Sequence, residues 1–254
     1  MPATPFVDFA ALPATRALHW FAEGARLWRR APVMLFLLAF VPLLVEGLVQ
    51  LIPLVGFVLS KFVAPLMSFG LIFGLDALAR GERLRVSHLF MPFRDGHFSG
   101  AARLVLWTML VPALQVTVAT IVYGPAALDA IVLGHILQHP ELMTTRAFSW
   151  WLILPGIPLA VLLMTLPPPM VLLRGMAPGR AIVLSARRMF AAPLPFIVLA
   201  LVSIAILFVA LASPWGALAL LLQPWLMASM FAAWLDLSGA REPTSTPAKV
   251  LAAE

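Results

Sequence analysis

Residues 25–32 read A-R-L-W-R-R-A-P, and the chain continues V-M-L-F-L-L-A-F-V-P-L-L-V-E-G-L-V-Q to residue 50. Three arginines and a tryptophan stand before a proline, and behind the proline comes a run whose only ionisable side chain is Glu46. About 20 predominantly apolar residues suffice to cross a bilayer as a helix. The same arrangement returns at residues 186–193, A-R-R-M-F-A-A-P, again directly before a long apolar run.

Composition agrees with a membrane solvent. Of 254 residues, 62% are hydrophobic and 11% charged, against about 45–50% and about 25% in soluble domains. The chain has no cysteine, which removes disulfides, zinc–thiolate sites and thiol nucleophiles. Its net charge of +6 comes almost wholly from arginine beside apolar spans. Anionic lipid headgroups are therefore the expected partner of that charge, and no basic run lies on a soluble module that would bind nucleic acid. The first 32 residues lack the charged start, apolar core and cleavage site of a secretory signal, and no cleavage is expected.

Six spans follow from hydropathy: Val33–Gln50, Phe62–Ala79, Leu104–Tyr123, Phe148–Leu173, Leu194–Ala212 and Trp215–Leu237. With that count, fifteen of the 17 Lys and Arg residues fall on one side, and only Lys61 and Arg146 fall on the other. The positive-inside rule makes the rich side cytoplasmic and puts both termini there. A count of five or seven would scatter the arginines over both faces.

The two octets lie 161 residues apart, and the same separation joins Pro53 to Pro214. With a shift of one, Asp76 matches Asp236 and Glu82 matches Glu242; with a shift of two, Pro65 matches Pro224. These landmarks suggest a parallel two-helix repeat, residues 33–79 and 178–237, around a middle helix pair at 104–173, which is itself a candidate for a diverged third copy without landmarks to show it. Residues 16–31 have the 3.6-residue period of an amphipathic helix. Ala17, Trp20, Phe21, Leu27 and Trp28 lie on one face, and Arg16, Arg26, Arg29 and Arg30 on the other. An interfacial helix with tryptophans at headgroup depth is expected, and Arg187 and Arg188 occupy the equivalent place in the second copy.

The stretches R-R-A-P (29–32), L-I-P-L-V-G (51–56), L-A-R-G-E (78–82) and S-H-L-F (87–90) resemble a family of uncharacterised proteobacterial multi-span inner-membrane proteins. S-A-R-R-M-F-A-A-P-L-P-F (185–196) and M-F-A-A-W-L-D-L (230–237) resemble that family's second half. The likeness covers roughly residues 16 to 238 and is weakest over spans three and four. It implies a multi-span helical protein and attaches no reaction to it.

Several residues are candidates for chemistry. Glu46, with Gln50 one turn on, is an ionisable group within a span and so a candidate for proton or substrate binding; against that, it lies close enough to the outer end to reach water. Gln115 is a polar group in span three. Span four carries Pro155, Pro158 and Pro167-Pro168-Pro169, and a broken helix either lines a binding site or is a kink near the boundary. His135 and His139 are four apart in the outer loop, near Asp129 and Glu141, which makes a weak metal candidate without an H-E-x-x-H motif. Asp76 stands four residues before Arg80, the spacing of a local ion pair. Gly70 with Gly74, and Ser229 with Ala233, are small-x-x-x-small pairs suited to helix packing. There is no phosphate loop, no G-x-S-x-G and no Ser-x-x-Lys dyad.

The expectation is thus an all-α membrane protein in a single domain, residues 1–240. It has a cytoplasmic loop at 82–100, an outer loop at 124–147 and a disordered cytoplasmic tail at 241–254. The functional reading is a non-catalytic scaffold or accessory subunit, with no cofactor, whose partners are lipid and either another membrane protein or a second copy. The alternative is a transporter or lipid-handling protein with a site near Glu46, Gln115 and the broken fourth span.

Overall fold

The computed structural model describes residues 12–52, 55–94, 96–133, 135, 138–144, 146–212 and 217–238. The expected tail at 241–254 and the outer turns at Pro53 and Pro214 lie outside the described residues, as does Trp215 at the expected start of span six. Among the described residues the chain is helical without strands. The helices are α1 (Arg16–Arg30), α2 (Pro32–Gln50), α3 (Gly56–Ser68), α4 (Gly70–Ala79), α5 (Phe98–Thr108), α6 (Leu110–Tyr123) and α7 (Pro125–Val132). They continue with α8 (Pro140–Thr144), α9 (Arg146–Ile153), α10 (Gly156–Met164), α11 (Pro167–Leu172), α12 (Pro178–Ala191), α13 (Pro193–Ala212) and α14 (Ala217–Leu237). A 3-10 segment, Val86–Phe93, stands between α4 and α5.

Six stretches are long and apolar enough to cross a membrane: Pro32–Gln50, Gly56–Ala79, Phe98–Tyr123, Trp150–Leu172, Pro193–Ala210 and Leu220–Leu237. Their number and order match the expectation, and the chain has the helices of a multi-pass membrane protein. Spans two and three begin six residues earlier than hydropathy suggests. Lys61 does not end span two, because its charge is paired with Glu46 of α2. Residues 98–103 continue into span three because α5 packs on α3 and α11.

The two octets build the same corner. Ala31 ends α1 at φ −152°, ψ 61°, and Ala192 ends α12 at φ −135°, ψ 73°. Each alanine precedes a proline, whose ring excludes the helical region for the residue before it. Each proline then opens the next helix, where its missing N–H costs nothing. The buried positions share a register as well. Pro178, Ala181, Ser185 and Arg188 of α12 stand 161 residues after Ala17, Trp20, Gly24 and Leu27 of α1.

The three two-span hairpins pack in a ring. The odd spans are α2, α5–α6 and α13; the even spans are α3–α4, α9–α11 and α14. Each odd span packs on its own even partner and on the even span of the hairpin before it: α2 on α14, α5 on α3, and α13 on α10. The segment leading into each odd span follows the same rule. The first, α1, lies on α14 and α13. Residues 86–93 lie on α4, α3 and α2, and α12 lies on α10, α11 and α5. Even spans consequently form the interior. Buried residues make up 61%, 39% and 56% of spans two, four and six, but 22%, 17% and 28% of spans one, three and five. At the centre, one continuous apolar cluster holds Leu71 and Leu75 of α4 with Met170 of α11 and Phe231 of α14.

Candidate functional site

The residues singled out in the sequence fall into four places, each built around helix contacts.

The first is the contact of α1 with α14. Arg16 holds Asp236 with two parallel bonds, Nε to Oδ2 at 2.8 Å and Nη2 to Oδ1 at 2.5 Å, the paired fork geometry of a strong charge-assisted contact. Trp20 Nε1 donates to the same carboxylate at 2.8 Å. The carboxylate raises the Arg16 guanidinium above its usual range, chiefly through these hydrogen bonds. Further along, Trp225 Nε1 donates to the Phe21 carbonyl at 3.0 Å. Gly24 meets Ser229 so closely that a Cβ there would stand 2.6 Å from the Ser229 Cα. Arg16 and Trp20 thus meet the C-terminal end of α14, and Phe21 and Gly24 meet its middle. This corrects the expected place of Trp20: it is fully buried in protein rather than set among headgroups, because the apolar face of α1 is covered by α14 and by Phe196 of α13. Trp28 is half-buried, while Arg26, Arg29 and Arg30 are exposed on the opposite face. In α12, Arg187 is exposed and Arg188 is buried. Burial, with Arg174 adding repulsion, pushes the Arg188 guanidinium down to about 10.

The second place is span two. Gly70 does not face another span. A Cβ there would meet the Leu89 Cα at 2.4 Å and the His88 carbonyl at 2.6 Å, so the glycine admits the 86–93 segment against the helix. Gly74 likewise faces Leu84 and Leu38. Ser229 and Ala233 are both fully buried, Ser229 against α1. Both small-residue pairs are thus used inside the chain. Asp76 pairs with Arg80 as its spacing suggests, and Arg80 Nε also donates to Glu82 at 2.8 Å.

The third place comprises the polar groups of the spans. Glu46 pairs with Lys61 of α3 and accepts from Gln50 Nε2 at 3.3 Å; Gln50 in turn reaches Ser60 Oγ at 3.3 Å. These four residues fasten the C-terminal end of α2 to the N-terminal half of α3. Gln115 lies elsewhere, packed on Gly156, with Nε2 3.5 Å from the Ile153 carbonyl. That carbonyl is released because Ile157 N–H turns to Leu154 at the break between α9 and α10. The structure does not bring Glu46 and Gln115 together. Span four is broken twice, and Pro167-Pro168-Pro169, all buried, open α11 rather than end a helix. Beside the break, Pro158, Leu159 and Leu162 of α10 face Phe190, Pro193 and Ile197 across an apolar slot of about 430 Å³.

The fourth place is the outer loop. Asp129 of α7 accepts from both histidines: His135 Nδ1 lies 3.1 Å from Oδ1, and His139 Nε2 lies 2.9 Å from Oδ2. His139 Nδ1 lies 3.1 Å from Glu141 of α8. Held at both nitrogens by carboxylates, His139 has its pKa raised, with the Asp129 bond as the main cause. Among the described residues, no group of three or more His, Asp or Glu side chains is arranged to hold a metal ion.

The Arg16–Asp236 pair, the Gly24–Ser229 crossing and the ring of hairpins are the features that sequence reasoning missed. The only available signal was the match of Asp76 with Asp236 across the repeat, which marked the position and not the partner. No family model, curated protein or solved structure matches the chain.

Proposed function

We propose that the chain is a non-catalytic integral protein of the bacterial cytoplasmic membrane, with both termini inside, acting as a scaffold or accessory subunit of a membrane complex. One observation carries this reading: the centre of the ring is filled with apolar side chains, and the candidate polar groups Glu46, Gln50 and Gln115 are engaged in contacts between helices. A transporter collects released carbonyls and polar side chains around an enclosed site at mid-depth. Here Gln115 covers the released carbonyl itself, Glu46 is paired at a helix end, and neither lines either of the two described cavities.

The arginine partition supports the orientation, and the resemblance to the proteobacterial family supports the bacterial inner membrane. The hairpins are copies of one unit, three in number rather than two. The matching corners and the shared buried register support this for the first and last hairpins, and the cyclic packing extends it to the middle one. The exposed arginines of α1 and α12 meet anionic headgroups, and no cofactor or nucleic acid is involved.

A second reading, a lipid-handling protein, is favoured by the apolar slot beside the broken fourth span, which has the character of an acyl-chain groove. Purification from native membranes in mild detergent separates the two. A membrane partner at fixed stoichiometry, lost on replacing exposed Trp107 and Leu110 of the least buried span, supports the scaffold. A lone monodisperse chain carrying one defined lipid overturns it in favour of the second reading.

A further inference from the structure

A second cavity, of about 640 Å³, opens on the arginine-rich side between the α1–α2 corner and the turn after α4. Its inner wall is apolar, made by Met34, Leu78 and Leu84. Its rim carries Arg30, Arg83 and Glu82. The carboxylate of Glu82 is already engaged by Arg80 at 2.8 Å. Arg30 is held in place by one bond, Nη1 to the Leu78 carbonyl at 3.1 Å; a guanidinium has five N–H donors, so most of its capacity stays available. Arg83 is exposed, and no carboxylate lies within ion-pair distance of it among the described residues.

The surroundings add positive charge. Arg85 acts on Glu82 through space, and Arg85 with Arg80 repels a proton from His88, whose pKa is lowered first by burial and then by these neighbours. The first turn of α2 forms the remaining wall, and its amides at Val33 and Met34 have no intrahelical acceptor. Two guanidiniums over an apolar wall at a bilayer boundary match one chemistry: a phosphodiester whose other end is hydrocarbon.

We propose that this cavity binds the headgroup of an anionic phospholipid, with Arg30 and Arg83 on the phosphate and the glycerol and upper acyl carbons against Met34, Leu78 and Leu84. The proposal rests on the reading of the arginine-rich side as the cytoplasmic face of a bilayer. It names the headgroup site that this reading leaves unspecified.

The test uses the full chain reconstituted in nanodiscs of phosphatidylcholine with a minor share of phosphatidylglycerol, with retained lipid read by native mass spectrometry. The wild type retains one phosphatidylglycerol in preference to phosphatidylcholine. Arg83→Ala lowers that retention about fivefold, the worth of one base near the surface, and Arg83→Glu abolishes it. Arg94→Ala, an exposed arginine that does not line the cavity, leaves it unchanged. Because Arg83 holds no other group, size-exclusion profiles of its variants match the wild type. Equal retention of the two lipids, or wild-type retention by Arg83→Glu, overturns the proposal. So does binding of inorganic phosphate without lipid preference.

The chain lacks cysteine, so a single Ser87→Cys reports sidedness by labelling in intact cells. Labelling from outside sinks the topology on which the proposal stands. Labelling only after permeabilisation, with no lipid preference, sinks the lipid site alone.

Discussion

At the first corner α1 buries Trp20, ties Arg16 to Asp236 and presses Gly24 against the backbone of α14. At the second, α12 has the same backbone exit and buried register. It places Ala181 where Trp20 stands, Ser185 where Gly24 stands and Arg188 where Leu27 stands. Ser185 Oγ donates to the Leu162 carbonyl at 3.3 Å instead of yielding to a close crossing. Beside it the apolar slot is bordered by Met189 and Phe190 of α12, Pro158 of α10 and Pro193 of α13. The difference separates two causes. An X-Pro junction sets the corner, whereas the size of the side chain two helix turns before it sets whether the corner is closed or leaves a groove.

The largest effect expected from breaking this contrast is Gly24→Ala. A Cβ there meets backbone atoms of Ser229 as well as its hydroxyl, so turning the side chain gives no relief and the helix itself must move. A loss of about 3 kcal/mol is expected, the upper end for overpacking, read as a lower unfolding midpoint in detergent. An unchanged midpoint would mean that α1 does not cross α14 at this point. Next comes Asp236→Ala, which strands the Trp20 indole and the Arg16 fork together. About 2 kcal/mol is expected from bonds to a charged acceptor. Arg16→Ala costs less, since that side chain is nearly half-exposed and solvent screens its charge.

Ser185→Ala is the matching change at the second corner. It removes one neutral hydrogen bond and creates no clash, so about 1 kcal/mol is expected. If it cost as much as Gly24→Ala, the two corners would be equally close-packed, and the apolar slot would not result from a looser fit. Smaller still is Phe190→Arg, which places at the second corner the residue type found at Arg29 of the first. Phe190 is 80% exposed, and its stability should shift by no more than about 0.5 kcal/mol.

The contrast also marks what could be read without coordinates. Span number, span order and the arginine partition are carried by composition. They were legible, as was the Asp76–Arg80 pair four residues apart on one helix. Arg16 and Asp236 lie 220 residues apart, and nothing local to either names the other. Gly70 and Gly74 announced a close approach, but spacing identifies small residues and not their partners, which proved to be loop backbone at Gly70 and the Leu84 and Leu38 side chains at Gly74. The middle hairpin's relation to the other two was harder to read for a physical reason. Its lead-in is a short 3-10 segment without an amphipathic helix period, and prolines cut its even span into three pieces. Trp20 was placed among lipids because an amphipathic period shows which face is apolar, and cannot distinguish burial in lipid from burial against α14.

The gentlest test contrasts these corners with the outer loop, where no close helix crossing fixes the chain and a titratable cluster joins α7 to α8. The His139 pKa is raised from its ordinary 6.5 by Asp129 and Glu141. Its contribution is therefore complete below pH 6.5 and is lost as pH rises through the raised value. The Asp129 pKa is lowered from 3.8 by the two histidines. Its contribution is therefore present above that ordinary value and is lost as pH falls through the lowered one. The loop should be most protected between these limits and should open on the alkaline side first. Hydrogen exchange of residues 129–144 measured across that range should show this, while α1 stays unchanged as far as pH 8, because its bonds to Asp236 come from an arginine and an indole. His139→Gln should flatten the alkaline limb. A loop whose exchange ignores pH in the wild type would show that backbone contacts, not the His139 bridge, hold α7 to α8. The closed inner corner and the outer loop would then differ in packing alone.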